Sequence, residues 1–223
     1  MKILAVDTAL GACSVALLED GQILAHIFEP MDRGHAERLA PMVDEAMKAA
    51  KVDFSSLDRL AVTTGPGTFT GQRVGLAFMR GLRLALKRPL TGITTLEAIA
   101  AAAQQETGNA KAAAIHDARR EEAYLLLRDN ETVIQPPAVM PFRDAVERIG
   151  AFGPCVLAGT GAQAVENLGP GFELSAIRQP DALWVARLAG QRPVSPDAPG
   201  PLYLRAPDAK LPGGRSIGQP SAP

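Results

Sequence analysis

Apolar residues arrive in short blocks broken by Gly, Asp and Pro, and the block lengths predict the order of elements. Ile3-Leu4-Ala5-Val6 is a four-residue apolar run ending at Asp7-Thr8, the pattern of a buried strand. Residues 13–18 read as a second strand. Asp20-Gly21 is a two-residue hairpin signal, so residues 23–28 form a third strand, antiparallel to the second. From His35 the period changes. Leu39, Met42, Val43, Ala46, Met47 and Ala50 recur at helical spacing, with Glu37, Arg38, Asp44, Glu45 and Lys48 on the polar side. A strand over 60–63, a helix over 74–86, a strand over 89–93 and an alanine-rich helix over 95–105 follow. The order βββαβαβα, antiparallel strands and then strand–helix alternation, predicts a mixed sheet with helices packed on it.

The second half repeats this order less completely. Strands are predicted over 112–116 and 123–127, flanking Asp117-Ala118-Arg119-Arg120-Glu121, with a third over 131–134. A helix over 142–149, a strand over 155–158, a glycine turn at Gly159-Thr160-Gly161, a short helix and a helix over 182–189 complete it. Beyond Arg192 prolines dominate, and Leu202-Tyr203-Leu204 is an apolar element expected to dock back on the fold. The division expected is a first lobe over 1–105, a smaller second lobe over 106–205 and a disordered tail over 206–223.

Composition narrows the partners. The 223 residues carry a net charge of −1, which supplies no global cationic field and argues against strong autonomous nucleic-acid binding. Cys13 and Cys155 lie far apart in apolar runs, as buried reduced thiols do. Asp7 interrupts the first apolar run, so a signal peptide is not expected, and no run of about 18 apolar residues predicts a membrane span. A cytoplasmic protein is the expectation.

The stretch Thr64-Gly65-Pro66-Gly67-Thr68-Phe69-Thr70-Gly71-Gln72-Arg73-Val74-Gly75 is poor in core residues. It lies between a strand and a helix, where free backbone N–H groups suit an anion such as phosphate. Gly65, Gly67, Thr68 and Thr70, with Asp7 and Thr8 at the end of the first strand, are the candidate phosphate or nucleotide residues. The segment has no Walker A lysine and no Rossmann spacing. Two plain alternatives stand beside the phosphate reading. Thr68 or Thr70 caps the helix while Gly71 and Gly75 pack closely, and Asp7 bonds its own turn.

The helix that follows carries two stripes of small residues, Gly71 with Gly75 and Ala77 with Gly81 and Ala85. Leu76, Phe78, Met79, Leu82 and Leu86 make it apolar over more of its circumference than one wet face needs. One side packs on the sheet; the other meets the 35–50 helix or a partner chain. His26, His35 and His116 form no i,i+4 pair, and no zinc site is expected. No Gly-x-Ser-x-Gly nucleophile elbow is present. Arg119-Arg120-Glu121-Glu122 reads as a solvated turn, with an interface role as the alternative.

Taken together, Ile3-Leu4-Ala5-Val6-Asp7-Thr8, Arg33-Gly34-His35-Ala36-Glu37-Arg38-Leu39, the 64–75 segment, Thr94-Thr95-Leu96-Glu97-Ala98, Asp117-Ala118-Arg119-Arg120-Glu121 and Tyr203-Leu204-Arg205 resemble the TsaB (YeaZ) family across residues 1–205. The family usually has Ser near Thr68 and Leu near Gln72. The resemblance implies an α/β, two-lobed actin-like fold of the actin, Hsp70 and sugar-kinase superfamily, each lobe a mixed βββαβαβα sheet and the second reduced.

It also implies a non-catalytic subunit that binds and activates a TsaD-like catalytic subunit making threonylcarbamoyladenosine at position 37 of tRNA. A TsaE-like ATPase joins the assembly, a homodimer forms when the chain is alone, and tRNA is reached only through the complex. No cofactor is required, with ATP or ADP and Mg reserved for the complex interface. Where the catalytic relative has its metal-binding histidines, Thr95 and Ile99 stand here. The implied interface comprises Arg33, His35, Leu39, Met42, Val43, Met47, Gly71, Arg73, Gly75, Leu76, Met79 and Leu82. An ATP-dependent phosphotransferase of the same superfamily is the alternative, and a metallopeptidase a weaker one.

Overall fold

The computed structural model describes residues 1–205, the side chains of Glu166 and Asn167 excepted; the expected tail over 206–223 lies outside the described residues. Two five-stranded sheets organise the chain. The first contains β1 (Lys2–Asp7), β2 (Ala12–Glu19), β3 (Gln22–Pro30), β4 (Arg59–Thr63) and β5 (Leu90–Ile93) in the order β3-β2-β1-β4-β5. β1, β2 and β3 are antiparallel, whereas β4 and β5 run parallel to β1. The second contains β6 (Lys111–Asp117), β7 (Glu122–Asp129), β8 (Thr132–Pro141), β9 (Val156–Ala158) and β10 (Glu173–Leu174) in the order β10-β9-β6-β7-β8. The helices are α1 (His35–Ala50), α2 (Phe69–Leu86), α3 (Thr95–Thr107), α4 (Phe142–Phe152) and α5 (Ala182–Gln191).

The hairpin after β2 turns on Asp20 and Gly21, at φ 49° and 82°, the positive pair that a two-residue turn of this hand requires. Two elements exceed their predicted bounds by five residues or more, for visible reasons. α2 begins at Phe69, five residues before its apolar pattern, because the Thr68 side chain accepts a bond from the Gly71 N–H and caps the helix. β8 runs on through Pro136 and Pro137 because it is an edge strand, where missing donors break no ladder. β10, only two residues long, was below the reach of any periodicity. The segment over 162–168 is a 3₁₀ helix.

Strand alternation divides the first sheet cleanly. Leu4, Val6, Val15 and Leu17 face α1 and α2, forming a core with Leu39, Met42, Val43, Met47, Leu76 and Met79. Ile3, Ala5, Ala16 and Leu18 face the other way, against α3 and α5. α5 therefore completes the first lobe although it follows the second in sequence, which corrects the expected boundary of 106–205. Arg59 of β4 fixes it there, donating to the carbonyls of Ala189 and, at 2.8 Å, of Arg192. α3 lies between the sheets. Ala98 and Ala101 touch the first core, and Leu96, Ile99, Ala100 and Ala103 pack with Ala112, Ala114, Leu126 and Val156 of the second. Its alanines permit the close approach of both sheets.

Candidate functional site: the α1–α2 face and the interlobe cleft

Residues 65–75 leave the end of β4 and meet the end of β1. Thr8, fully buried, joins them: its hydroxyl donates to the Gly71 carbonyl at 2.7 Å and accepts from the Gly75 N–H at 3.0 Å. The Thr68 N–H donates to the Ala9 carbonyl at 2.8 Å, the Gly71 N–H to the Thr68 hydroxyl at 3.1 Å, and the Gln72 N–H to the Thr68 carbonyl at 3.1 Å. Four donors that a phosphate would use are thus bonded within the chain. The glycines serve the same contact. A Cβ at Gly67 would lie 2.3 Å from the Ala9 carbonyl oxygen, one at Gly71 2.1 Å from that of Thr8, and one at Gly75 2.7 Å from the Thr8 hydroxyl.

Asp7 is sealed beneath this contact. Its Oδ1 accepts from the Thr63 hydroxyl at 2.5 Å and from the Ala9 N–H at 3.2 Å, while Oδ2 has no partner. Burial pushes its carboxyl up to about 7 despite those two bonds. The Ala9 bond is the turn-bonding role that the plain reading of Asp7 anticipated. Gly65 is buried, its carbonyl accepting from the Thr95 N–H at 2.9 Å, and Thr70 is exposed. Gln72 is not on the helix surface. It is buried over Gly65 with its Oε1 unbonded, in the place where the family usually has Leu.

The expected interface residues separate into two groups. Leu39, Met42, Val43, Met47, Leu76 and Met79 are buried in the chain's own core, and Leu82 packs half-buried against it. Gly71 and Gly75 are buried against Thr8. Eight of these nine are buried and Leu82 is half-buried, because the sheet claims the more apolar side of each helix. His35 donates from Nε2 to the Leu10 carbonyl at 3.0 Å and is half-buried. Arg33 is exposed, and Arg73 is exposed but occupied by the aromatic stack described below.

What does face outward on α2 is the second stripe of small residues, Ala77, Gly81 and Ala85, with Leu84 beside it at 74% exposure. Among the described residues nothing lies within 4 Å of a Cβ built at Gly81. On α1 the outward positions include Ala36, Ala40, Pro41 and Ala49, interrupted by Glu37, Asp44, Glu45 and Lys48. The stripe was visible in the sequence; its direction was not.

A proline-rich segment clasps the opening of the cleft between the sheets. Arg83 donates to the Pro196 carbonyl at 2.8 Å and Arg80 to that of Pro199 at 2.7 Å. The Leu202 N–H donates to the Thr64 carbonyl at 2.7 Å. Phe69 and Tyr203 stack with centroids 6.0 Å apart, the Arg73 guanidinium lies 3.4 Å from the Phe69 centroid, and Arg73 Nε donates to the Tyr203 hydroxyl at 3.0 Å. Leu202-Tyr203-Leu204 thus docks as expected.

Arg205 ends the segment, donating to the Ala118 carbonyl at 2.9 Å and pairing with Glu122. It holds the turn in which Arg119, Arg120 and Glu121 all take left-handed φ, 63°, 55° and 59°. Its residues Arg119, Arg120 and Glu121 stay exposed, as the solvated reading expects, and nothing in the composition announces the clamp. The cleft beneath, about 550 Å³, is lined by Phe69, His116, Tyr124 and Tyr203. His116 accepts at Nδ1 from the Thr160 hydroxyl at 2.8 Å, and burial lowers it to about 4, so its ring is neutral. Among the described residues no three His, Cys, Asp or Glu side chains converge so as to hold a metal ion. Likewise among them, no helix is long and apolar enough to cross a membrane.

The two βββ-led sheets, the central α3 and the cleft between them define a two-lobed α/β protein of the actin-like class. The family model of TsaD, tRNA N6-adenosine threonylcarbamoyltransferase, matches residues 22–152. The tRNA threonylcarbamoyladenosine biosynthesis protein TsaB of Escherichia coli (strain K12) is 36% identical over 180 residues, covering 76% of this chain and 75% of that one. The solved structure of YeaZ from Pseudomonas aeruginosa superposes with a TM-score of 0.76 at 35% identity, covering 85% of this chain and 90% of that one. The chain belongs to the TsaB (YeaZ) family. Component A of the Acidaminococcus fermentans (R)-2-hydroxyglutaryl-CoA dehydratase, with a TM-score of 0.53 at 13% identity over 85% of this chain and 97% of that one, shares the fold alone.

Proposed function

We propose that this chain is a non-catalytic subunit of tRNA threonylcarbamoyladenosine biosynthesis, which holds a TsaD-like catalytic subunit against the outward side of α2 and the adjoining side of α1. One observation carries the reading. Among the described residues α2 presents an exposed stripe of Ala77, Gly81 and Ala85 flanked by an exposed Leu84, the surface that lets a second helix approach closely. The role of the E. coli relative in this modification supports the choice of occupant.

On this reading the 65–75 segment is architecture that launches α2. Its donors are bonded to Thr8, Ala9 and Thr68, which favours the scaffold over a phosphotransferase. A TsaE-like ATPase, and ATP or ADP with Mg, belong to the assembled complex, tRNA is reached through the catalytic subunit, and self-association uses the same stripe when that subunit is missing. Co-expression with the TsaD-like subunit tests the proposal. Leu84→Asp is expected to abolish co-purification and tRNA threonylcarbamoylation by the reconstituted mixture while leaving the Tm unchanged. Undiminished activity and co-purification would overturn the interface, and a self-associated chain that ignores the catalytic subunit would overturn the occupant.

A further inference from the structure

At the opposite end of β1 from Asp7, a cavity of about 1000 Å³ opens between the first sheet, α3, α5 and the β7–β8 turn. Ile3, Leu18, Leu188 and Trp184 give it apolar walls, and Arg128 of β7 lines it. Arg128 shares the α3-facing side of its strand with Tyr124 and Leu126 and is only 6% exposed. Its guanidinium makes no hydrogen bond and no ion pair among the described residues. The contrast with Arg59 is direct: that side chain, 8% exposed, donates to two α5-end carbonyls.

Arg128 feels Glu97 and Glu131 at a distance and is repelled by Arg192, and burial lowers its guanidinium from the ordinary value. Glu97 is already occupied by Arg192 and Thr94. With most of its side chain buried, Arg128 leaves its guanidinium unpartnered at the cavity, where its planar fork of donors matches a carboxylate or phosphate in two parallel bonds. Trp184, with the Arg187 guanidinium 4.6 Å from its ring, supplies a flat apolar surface at the same cavity. Asp20 and Glu131 stand among the lining residues, which disfavours a polyanion and leaves room for a single negative group.

We propose that this cavity binds a small organic oxyanion, its carboxylate or phosphate group held by the fork of Arg128 and its apolar body against Trp184. The site is separate from the α2 stripe and does not depend on it. Trp184 is the chain's one tryptophan, so its emission reports occupancy directly. Titrating the full chain with inorganic phosphate, phenyl phosphate and benzoate at constant ionic strength is expected to give a saturable change for at least one of them. Response to the two phosphates alone identifies a phosphate group; response to benzoate alone identifies a carboxylate. Arg128→Met is expected to weaken the midpoint by at least about tenfold, and Arg128→Lys, which keeps the charge and loses the fork, by an intermediate factor.

Because Arg128→Met removes an unpartnered charge from a largely buried side chain and keeps an apolar stem, its Tm is expected at or above that of the unmodified chain. Absence of any saturable response up to about 50 mM would overturn the proposal. So would an unchanged midpoint in Arg128→Met, or a Tm lowered by more than about 5 °C, which would make Arg128 a structural residue.

Discussion

The two stripes of small residues on α2 have nearly the same composition and opposite uses. Gly71 and Gly75 are closed by the chain itself: the end of β1 presses so near that the Thr8 carbonyl and hydroxyl take the space of any side chain. Ala77, Gly81 and Ala85 look outward and are exposed, and among the described residues nothing lies over Gly81. A glycine at the first stripe is required by contact, whereas Gly81 lies in an open helix interior, where Ala is the better helix former. The difference teaches that spacing reveals where backbones can approach closely, while only the tertiary partner decides which backbone does.

The largest expected break of this comparison is Gly71→Ala. A Cβ 2.1 Å from a backbone oxygen cannot be accommodated without moving β1 or α2, and a loss of about 3 kcal/mol or more is expected in denaturant unfolding. Met79→Ala, on the core side of the same helix, is expected to cost about 2–5 kcal/mol through the cavity it leaves, whereas Leu84→Ala stays within about 0.5 kcal/mol. These stability differences separate the core side of α2 from its free side.

Asp7, next to Thr8 at that closed junction, gives the contact a pH dependence. Its folded carboxyl lies near 7 against an ordinary 3.8, so the native chain keeps a proton that the unfolded chain releases. Its contribution is complete below the ordinary value and is lost as pH rises from about 4 through about 7, on the order of 4 kcal/mol in all. His116, held neutral and lowered to about 4, acts in the opposite sense, losing stability as pH falls from about 6.5. The test is therefore a difference. The Tm of Asp7→Asn relative to the unmodified chain should rise between about pH 4.5 and pH 8; a difference independent of pH would contradict a raised carboxyl. The smallest effect has the opposite sign to Gly71→Ala: Gly81→Ala is expected to stabilise the chain by about 1 kcal/mol in the same unfolding measurement.

The element order was legible because hydrophobic period and turn residues agree. The 35–50 helix and the Asp20-Gly21 hairpin were each announced by a local signal. Facing was not legible. Leu39, Met42, Val43 and Met79 are residue types that suit a core and an interface equally, and they lie in the core because β1 and β2 present Leu4, Val6, Val15 and Leu17 to them. The return of α5 to the first sheet depends on contacts more than a hundred residues apart, such as Arg59 with Ala189. The clamp by Arg205 on the 119–121 turn likewise joins residues 87 apart. Arg128 reads in sequence as one charge at the end of a strand, and only the cavity makes its isolation visible.

The central claim is that the outward stripe of α2 is where the catalytic subunit docks. The most direct measurement is calorimetric titration of the TsaD-like subunit with the unmodified chain, with Gly81→Ala and with Gly81→Arg. The arginine variant is expected to fold normally and to lose binding by more than about 100-fold, while the alanine variant changes it far less. Unchanged affinity in a well-folded Gly81→Arg chain would contradict the claim.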